Sequence, residues 1–134
     1  MKSLEANSGE RGIIVNMASV AAEDGQSGQV AYAASKAAVM GMTLPMSRDL
    51  GKFGIRVVTI SPGPFATPIA ADSPLEKVVQ GISRTIALGR LGKVGQTLTP
   101  QPEEFANLVA AVVENSYLTG VTIRLDGGLR VPHI

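Results

Sequence analysis

The sequence predicts an α/β protein built around a parallel sheet. Short runs of β-branched and apolar residues alternate with longer helical patterns, and the order strand, helix, strand, helix, strand requires crossover connections. The chain has 134 residues, of which 45% are hydrophobic. That is the length of one domain with enough apolar side chains for a core. Helices on both faces of the sheet would give three layers, α/β/α.

Three segments have the composition of buried strands. The runs Gly12–Met17 and Ile55–Ser61 consist largely of apolar and β-branched residues, as strands covered on both faces do. The third strand lies in the segment GVTIRLDGG, which starts at Gly120 and ends in a turn. Because ligands of open parallel sheets bind at the carboxyl ends of the strands, we expect a functional site where these strands end.

Helical patterns fill the connections between the strands. A pattern rich in alanine and methionine runs from about Val30 to Phe53, and a kink is expected at Pro45 because proline removes a backbone hydrogen bond. A short helix is predicted from Leu75 to Ala87, and another from Pro102 to about Asn115. The segments PGPFATP and GRLGKVGQTLTPQ are expected to be irregular, the first because its prolines cannot continue a regular element.

The composition argues against several classes of function. Charged residues make up 17% of the chain and the net charge is +1, so no basic surface for nucleic acid is indicated. Cysteine is absent, and the single histidine, His133, has no second histidine with which to bind a metal. No apolar run reaches the roughly 20 residues of a membrane span, and the first residues lack the apolar segment of a signal peptide. We therefore expect no metal, no nucleic-acid partner and no membrane partner.

A tyrosine and a lysine share one helical face near a serine. Tyr32 and Lys36 are four residues apart in the predicted helix, so their side chains point the same way. A phenol is a weak acid, and a nearby ammonium group favours its ionised form, which would suit Tyr32 to general acid–base catalysis. Ser19 follows the first strand, where its hydroxyl would hold a substrate oxygen beside the tyrosine. This trio suits proton exchange with an alcohol or a carbonyl.

A structural interpretation of the same residues stays open at this point. A tyrosine that packs its ring while a lysine extends past it to solvent is common on helices. The segment PGPFAT is equally explained as a plain turn after a strand. Neither feature alone separates a packed helix from a proton-transfer site.

The combination of these segments resembles the short-chain dehydrogenase/reductase family. Ser19, Tyr32 and Lys36, followed by PGPFAT, match the family's Ser, Tyr-x-x-x-Lys and Pro-Gly-x-x-x-Thr elements in order and spacing. The segment YLTGVTIRLDGG resembles the family's last strand. The resemblance covers nearly the whole chain. It implies a partial Rossmann-like parallel sheet, made of the last three strands and their flanking helices.

The resemblance also implies roles for individual residues. Tyr32 would be the general acid–base, Lys36 would favour its ionised form and bind the nicotinamide ribose, and Ser19 would orient the substrate oxygen. Gln26, in the loop between them, matches a substrate-contacting glutamine of close relatives. The cofactor implied is NAD, with the nicotinamide end bound by a set that includes both helical residues and the proline segment: Tyr32, Lys36, Pro62, Gly63, Phe65 and Thr67.

The sequence departs from the family's pattern in two places. No glycine-rich phosphate-binding loop precedes the first strand, and neither the acidic residue for the adenosine ribose nor the Asn-Ala-Gly segment is found. Residues 1–134 are therefore expected to be the C-terminal portion of one short-chain dehydrogenase/reductase domain, without its dinucleotide-binding half. The residues Lys93–Gln101 stand where relatives have almost none.

Two classes of function follow from this resemblance. The first is an NAD-dependent oxidoreductase that oxidises a secondary alcohol, of the 3-hydroxyacyl-CoA or hydroxysteroid type, to a ketone; this chain alone is expected to be inactive. The second is a non-catalytic truncated remnant that associates with full-length subunits. The resemblance further implies an acyl-CoA or steroid substrate, a homo-oligomer (a tetramer) and a mitochondrial location, with a cytoplasmic location as the alternative.

Overall fold

The computed structural model describes residues 9–66, 81, 84–93 and 104–130. Its strands and helices alternate in the predicted order, and a single 3-10 turn (Val20–Ala22) follows the first strand. The elements are β1 (Gly12–Met17), α1 (Val30–Gly41), α2 (Thr43–Gly51), β2 (Ile55–Pro62), β3 (Phe65–Ala66), β4 (Gly92–Lys93), α3 (Glu104–Glu114) and β5 (Val121–Leu125).

Strands β1, β2 and β5 form a parallel sheet with β2 in the middle. The register pairs Asn16 with Thr59 across β1 and β2, and Ser61 with Arg124 across β2 and β5. Residues 56–61 of β2 are all buried, whereas every residue of β1 keeps some exposure. This difference follows from position, because β1 lies at an edge of the described sheet. The predicted parallel sheet is confirmed.

Helices cover both faces of this sheet. Successive residues of β2 point to opposite faces. On one face the Thr59 hydroxyl lies 2.5 Å from the hydroxyl of Thr43 in α2. On the other face Arg56 donates hydrogen bonds to the carbonyls of Val112 and Val113 near the end of α3. The predicted three-layer α/β/α arrangement is therefore confirmed.

The long helix predicted from Val30 to Phe53 is two helices. α1 ends at Gly41, α2 begins at Thr43, and Met42 lies between them. The break therefore comes before Pro45 and not at it. A proline fits the first turn of a helix, where its missing N–H would have no partner, so Pro45 is accommodated near the start of α2.

Two loops predicted to be irregular contain a short pairing. Phe65–Ala66 pairs in parallel with Gly92–Lys93, so the prediction was wrong for these residues. Gly92 permits the pairing because a Cβ at this position would overlap the Phe65 ring. The predicted helix from Leu75 to Ala87 lies largely outside the described residues, and residues 84–87 form turns and a bend. Residues 94–101 of the additional segment also lie outside the description.

The helix predicted from Pro102 is found as α3, from Glu104 to Glu114. Its first turn carries Glu104, a carboxylate placed where the helix dipole favours negative charge. None of the described helices is long and apolar enough to cross a membrane.

Candidate active site at the carboxyl edge of the sheet

Three loops meet where the strands of the sheet end. Ser19 begins the loop after β1, and Pro62 closes β2. The Gly63 N–H donates to the Leu125 carbonyl at 2.9 Å, which joins the loop after β2 to the end of β5. A Cβ on Gly63 would lie 2.9 Å from the Asp126 Cα, so glycine allows this close backbone contact. The loops at the carboxyl edge of the sheet, which the parallel topology predicted to be the functional edge, are thus in close backbone contact.

A cavity of about 240 Å³ opens at this edge. It brings together residues of α1, of all three strand ends and of the loop between β1 and α1. The lining residues are Ser19, Val20, Ala21, Asp24, Gln26, Gln29, Tyr32, Pro62, Gly63, Pro64 and Leu129. Five of the predicted site residues, namely Ser19, Gln26, Tyr32, Pro62 and Gly63, therefore surround one space.

Ser19 occupies a fixed position at the mouth of this loop. Its extended backbone makes it the N-cap of the 3-10 turn, and its Oγ accepts a hydrogen bond from the Ala21 N–H at 3.1 Å. A hydroxyl that accepts one bond still has its own proton to donate. Ser19 therefore has both a structural role and a proton to offer to an oxygen in the cavity.

Tyr32 and Lys36 lie on one face of α1. The Lys36 Nζ is 5.7 Å from the centre of the Tyr32 ring and donates to the Met17 carbonyl at 3.2 Å. The lysine is thereby held between the helix and the end of β1. Tyr32 is 47% exposed, and its hydroxyl makes no hydrogen bond within the described part of the chain. The phenol is available to a ligand, and Lys36 stands behind it without lining the cavity.

Gln26 is held by its own loop. Its side-chain Nε2 donates to the Asp24 carbonyl at 3.0 Å, and its backbone N–H donates to the Gln29 Oε1 at 3.0 Å. These bonds fix the amide plane and leave its oxygen as an acceptor. The loop therefore presents a defined polar group to the cavity.

The remaining predicted cofactor residues are Phe65 and Thr67. Phe65 lines a neighbouring cavity of about 340 Å³ with Pro64 and Leu88, and its ring packs edge-on against Phe105 at 5.9 Å. It does not line the cavity that contains Tyr32. Thr67 lies outside the described residues.

Sequence reasoning missed several residues that shape the site. Asp24 and Gln29 lie in the same polar loop as Gln26. Their closeness to Gln26 in the sequence is the signal that could have identified them. Leu129 lines the cavity from the turn after β5, and it is buried against Val20 and Ile86. No local sequence pattern reports this packing, because its partners are distant in the chain.

Arg124, the fourth residue of β5, is also a site feature that the motifs did not indicate. Its guanidinium contacts the carboxylates of Glu23, Asp24 and Asp126. Burial alone would lower the pKa of Arg124, but the hydrogen bonds to these carboxylates outweigh burial and raise the pKa above its ordinary value. Because the pKa of Arg124 is raised, its ion pairs stabilise the folded chain at pH values below the ordinary guanidinium pKa, as long as the three carboxylates are ionised. The Arg124 guanidinium therefore stays charged at neutral pH.

A comparison with known proteins assigns the chain to a family. The family model described as enoyl-(acyl carrier protein) reductase matches residues 1–130. The chain belongs to the short-chain dehydrogenase/reductase family. Membership of this family implies a nicotinamide cofactor in general.

Named relatives share about half of the residues in the matched region. The chain is 54% identical over 124 residues to 3-hydroxyacyl-CoA dehydrogenase type-2 of Drosophila melanogaster. It is 49% identical over 124 residues to the protein of the same name from Homo sapiens. The matches cover 92% of this chain but 45% of the fly relative and 44% of the human relative. The chain thus spans less than half the length of these relatives.

Solved structures give the same result for the fold. The 3-hydroxyacyl-CoA dehydrogenase type-2 from Mycobacterium avium matches with a TM-score of 0.78 and 42% identity, covering 93% of this chain and 44% of that chain. The 3-oxoacyl-[acyl-carrier protein] reductase from Brucella melitensis matches with a TM-score of 0.74 and 34% identity, covering 96% and 45%. Both likenesses extend over almost all of the present chain.

Proposed function

We propose that this chain carries the proton-transfer and nicotinamide end of an NAD-dependent dehydrogenase that oxidises a secondary alcohol to a ketone. The observation that supports the proposal best is the cavity at the carboxyl edge, which is lined by both Ser19 and Tyr32. The names of the relatives, which are 3-hydroxyacyl-CoA dehydrogenases, support a 3-hydroxyacyl thioester as the substrate. A hydroxysteroid is the second substrate class in this proposal.

The chemistry assigns one task to each side chain. Tyr32, half exposed in the cavity, acts in its ionised form and accepts the proton of the substrate alcohol. The Lys36 ammonium, held by the Met17 carbonyl, stabilises the negative charge that the phenol gains on losing its proton. Ser19 donates its hydroxyl proton to the substrate oxygen and so orients it toward Tyr32. Gln26 contacts the substrate from the loop between β1 and α1.

The residues present suit the nicotinamide–ribose end of the cofactor. The Lys36 ammonium and the Tyr32 hydroxyl are donors for ribose oxygens, and Pro62 and Gly63 line the same cavity as Tyr32. NAD, when bound, would supply the hydride acceptor for this reaction. We assign Phe65 and Thr67 to the carboxamide side of the nicotinamide as part of the same proposal. Phosphate binding requires backbone amides at a helix N-terminus elsewhere in the domain, so the isolated chain should be inactive.

A non-catalytic remnant that associates with full-length subunits is the alternative. The simplest experiment that distinguishes the catalytic proposal from this alternative uses a chimeric protein. The chimera consists of the human relative up to the point where its match to this chain begins, followed by residues 1–134. An active chimera supports the first proposal, whereas a folded, cofactor-binding chimera without turnover supports the second.

The test of the proposed role of Tyr32 uses the second tyrosine as its control. Tyr32→Phe removes one hydroxyl and little volume, so the chimera should lose at least about 100-fold in kcat, whereas NAD affinity should fall far less because only one ribose contact is lost. Tyr117 is 97% exposed and lies after α3, away from the site. Tyr117→Phe should leave kcat and KM unchanged. A Tyr32→Phe chimera that retains more than a few per cent of turnover would contradict the role of proton carrier.

A further inference from the structure

The guanidinium of Arg124 contacts two separate loops at the carboxyl edge. Nε donates to the Asp126 Oδ2 at 2.9 Å, and Nη2 donates to the Asp24 Oδ2 at 2.8 Å and to the Leu129 carbonyl at 3.1 Å. Nη1 donates to the Glu23 carboxylate. All three guanidinium nitrogens are used, which requires a planar fork and not a point charge. Arg124 thus joins the loop after β1 to the turn after β5.

The two loops would repel each other without this cation. Glu23 and Asp24 come from one loop and Asp126 from the other, so three carboxylates surround one guanidinium. Arg130 also contacts Asp126, at 3.1 Å, but its side chain is 68% exposed and solvent weakens the interaction. The Arg124 side chain is only 21% exposed, so solvent screens its charge less than that of Arg130. Arg124 therefore holds the two loops together against the repulsion between their carboxylates.

The loop that Arg124 holds forms one side of the candidate cavity. The carbonyl of Asp24 accepts the hydrogen bond from the Gln26 side chain, and both residues line the cavity. Leu129, whose carbonyl Arg124 also binds, is 1% exposed and lines the cavity from the other side. A change at Arg124 is thus transmitted to Leu129 through one hydrogen bond and to Gln26 through two, by way of Asp24. Tyr32 and Lys36 are on α1 and make none of these bonds.

We propose that Arg124 is a positioning residue for the substrate side of the site, which holds the segment Glu23–Gln26 against the turn after β5. The inference deepens the proposed function and rests on it for its kinetic consequence. It assigns substrate affinity to the Arg124 network and the chemical step to Tyr32. The hydrogen bonds of the network do not involve Ser19, Tyr32 or Lys36.

The kinetic test replaces Arg124 in the chimera described above. Arg124→Met should raise KM for the 3-hydroxyacyl-CoA substrate about 10-fold and change kcat by less than about threefold. Arg124→Lys keeps the charge but cannot reach both loops. Its KM should therefore lie between that of the unaltered chimera and that of Arg124→Met. An unchanged KM with a lower melting temperature would show a purely structural role. A lower kcat with an unchanged KM would place Arg124 in the chemical step. Either result overturns the proposal.

Arg56 provides a matched control for this test. Its side chain is buried and, like that of Arg124, bound on several sides, but it lies near the start of β2, at the amino end of the sheet. Arg56→Lys should lower the melting temperature and leave KM for the substrate unchanged. A rise in KM as large as that of Arg124→Met would mean that lost stability, and not loop position, controls affinity.

A second readout needs neither cofactor nor turnover. Amide hydrogen exchange of the 134-residue chain, measured on peptides covering residues 20–29, should be faster in Arg124→Met than in the unchanged chain. The same peptides should exchange at unchanged rates in Arg56→Lys. If the unaltered chimera shows no activity, the proposed function fails, but unchanged exchange in Arg124→Met would independently overturn the positioning role.

Discussion

The two ends of the sheet hold cavities of similar size but of different chemistry. The cavity at the carboxyl edge measures about 240 Å³ and contains Ser19 and Tyr32. The cavity at the amino end measures about 260 Å³ and contains Glu10 and Arg56. Each end also has an arginine with several partners, Arg56 buried at the amino end and Arg124 partly buried at the carboxyl edge. Size and charge therefore do not distinguish the two ends.

The partners of the two arginines do distinguish them. Arg56 donates to the carbonyls of Val112, Val113 and Leu118 and to the carboxylate of Glu10. These bonds use four of its five N–H groups, three of them on backbone near or just after the end of α3. Such an arginine closes a helix end and offers little to a ligand.

Arg124 instead binds mainly side chains on loops that line a cavity. In that cavity the Tyr32 hydroxyl has no partner within the described residues, and Ser19 keeps a proton to donate. A cavity whose polar groups are satisfied by the fold is structural, whereas one with unused donors is a candidate site. The comparison thus assigns stability to the amino end and chemistry to the carboxyl edge.

The largest effect on stability should come from the amino end. Arg56→Met removes the partner of Glu10 and leaves helix-end carbonyls of α3 without a donor, so we expect a loss of about 3 kcal/mol in the free energy of unfolding. Chemical denaturation measures this. Glu10 is partly exposed, with 31% of its side chain accessible, so Glu10→Gln should cost less than about 1 kcal/mol. Equal losses would show that the ion pair, and not the carbonyl contacts, stabilises this end.

A smaller effect is expected where α2 packs on the sheet. The Thr43 hydroxyl lies 3.2 Å from the Val39 carbonyl, which can only accept, so Thr59 is the donor in the 2.5 Å contact between the two threonines. Thr43→Val leaves a buried Thr59 hydroxyl unpaired and should cost about 2 kcal/mol, whereas Thr59→Val should cost about half as much. The double variant should be no worse than Thr43→Val alone. A double loss equal to the sum of both would contradict this donor assignment.

Sequence patterns predicted the sheet well because its strands consist largely of apolar and β-branched residues. β1 and β2 were predicted to within one residue, and their carboxyl ends indicated the functional edge. The break at Met42 was misplaced because the effect of Pro45 depends on its position within a helix. The β3–β4 pairing was missed because two-residue strands have no periodicity.

The candidate site was predictable only where a motif exists. Ser19, Tyr32 and Lys36 carry a recognisable spacing, and the family assignment supports their grouping. Arg124 and Leu129 have no such spacing, because their partners Asp24 and Val20 are about a hundred residues earlier in the chain. The exposed edge of β1 also leads to the prediction that the isolated chain associates, which sedimentation can test. That association, the tetramer and the mitochondrial location stay predictions.

The central claim is that ligands bind at the carboxyl edge and not at the amino end of the same sheet. Hydrogen exchange of the chimera, with and without saturating NAD and 3-hydroxyacyl-CoA, tests it without any substitution. Peptides covering residues 18–29, 61–64 and 125–129 should be protected by the ligands. Peptides covering residues 9–12, 51–56 and 116–120, around the amino-end cavity of similar volume, should exchange at unchanged rates. Protection around Glu10 and Arg56, with none around Ser19 and Gln26, would contradict binding at the carboxyl edge.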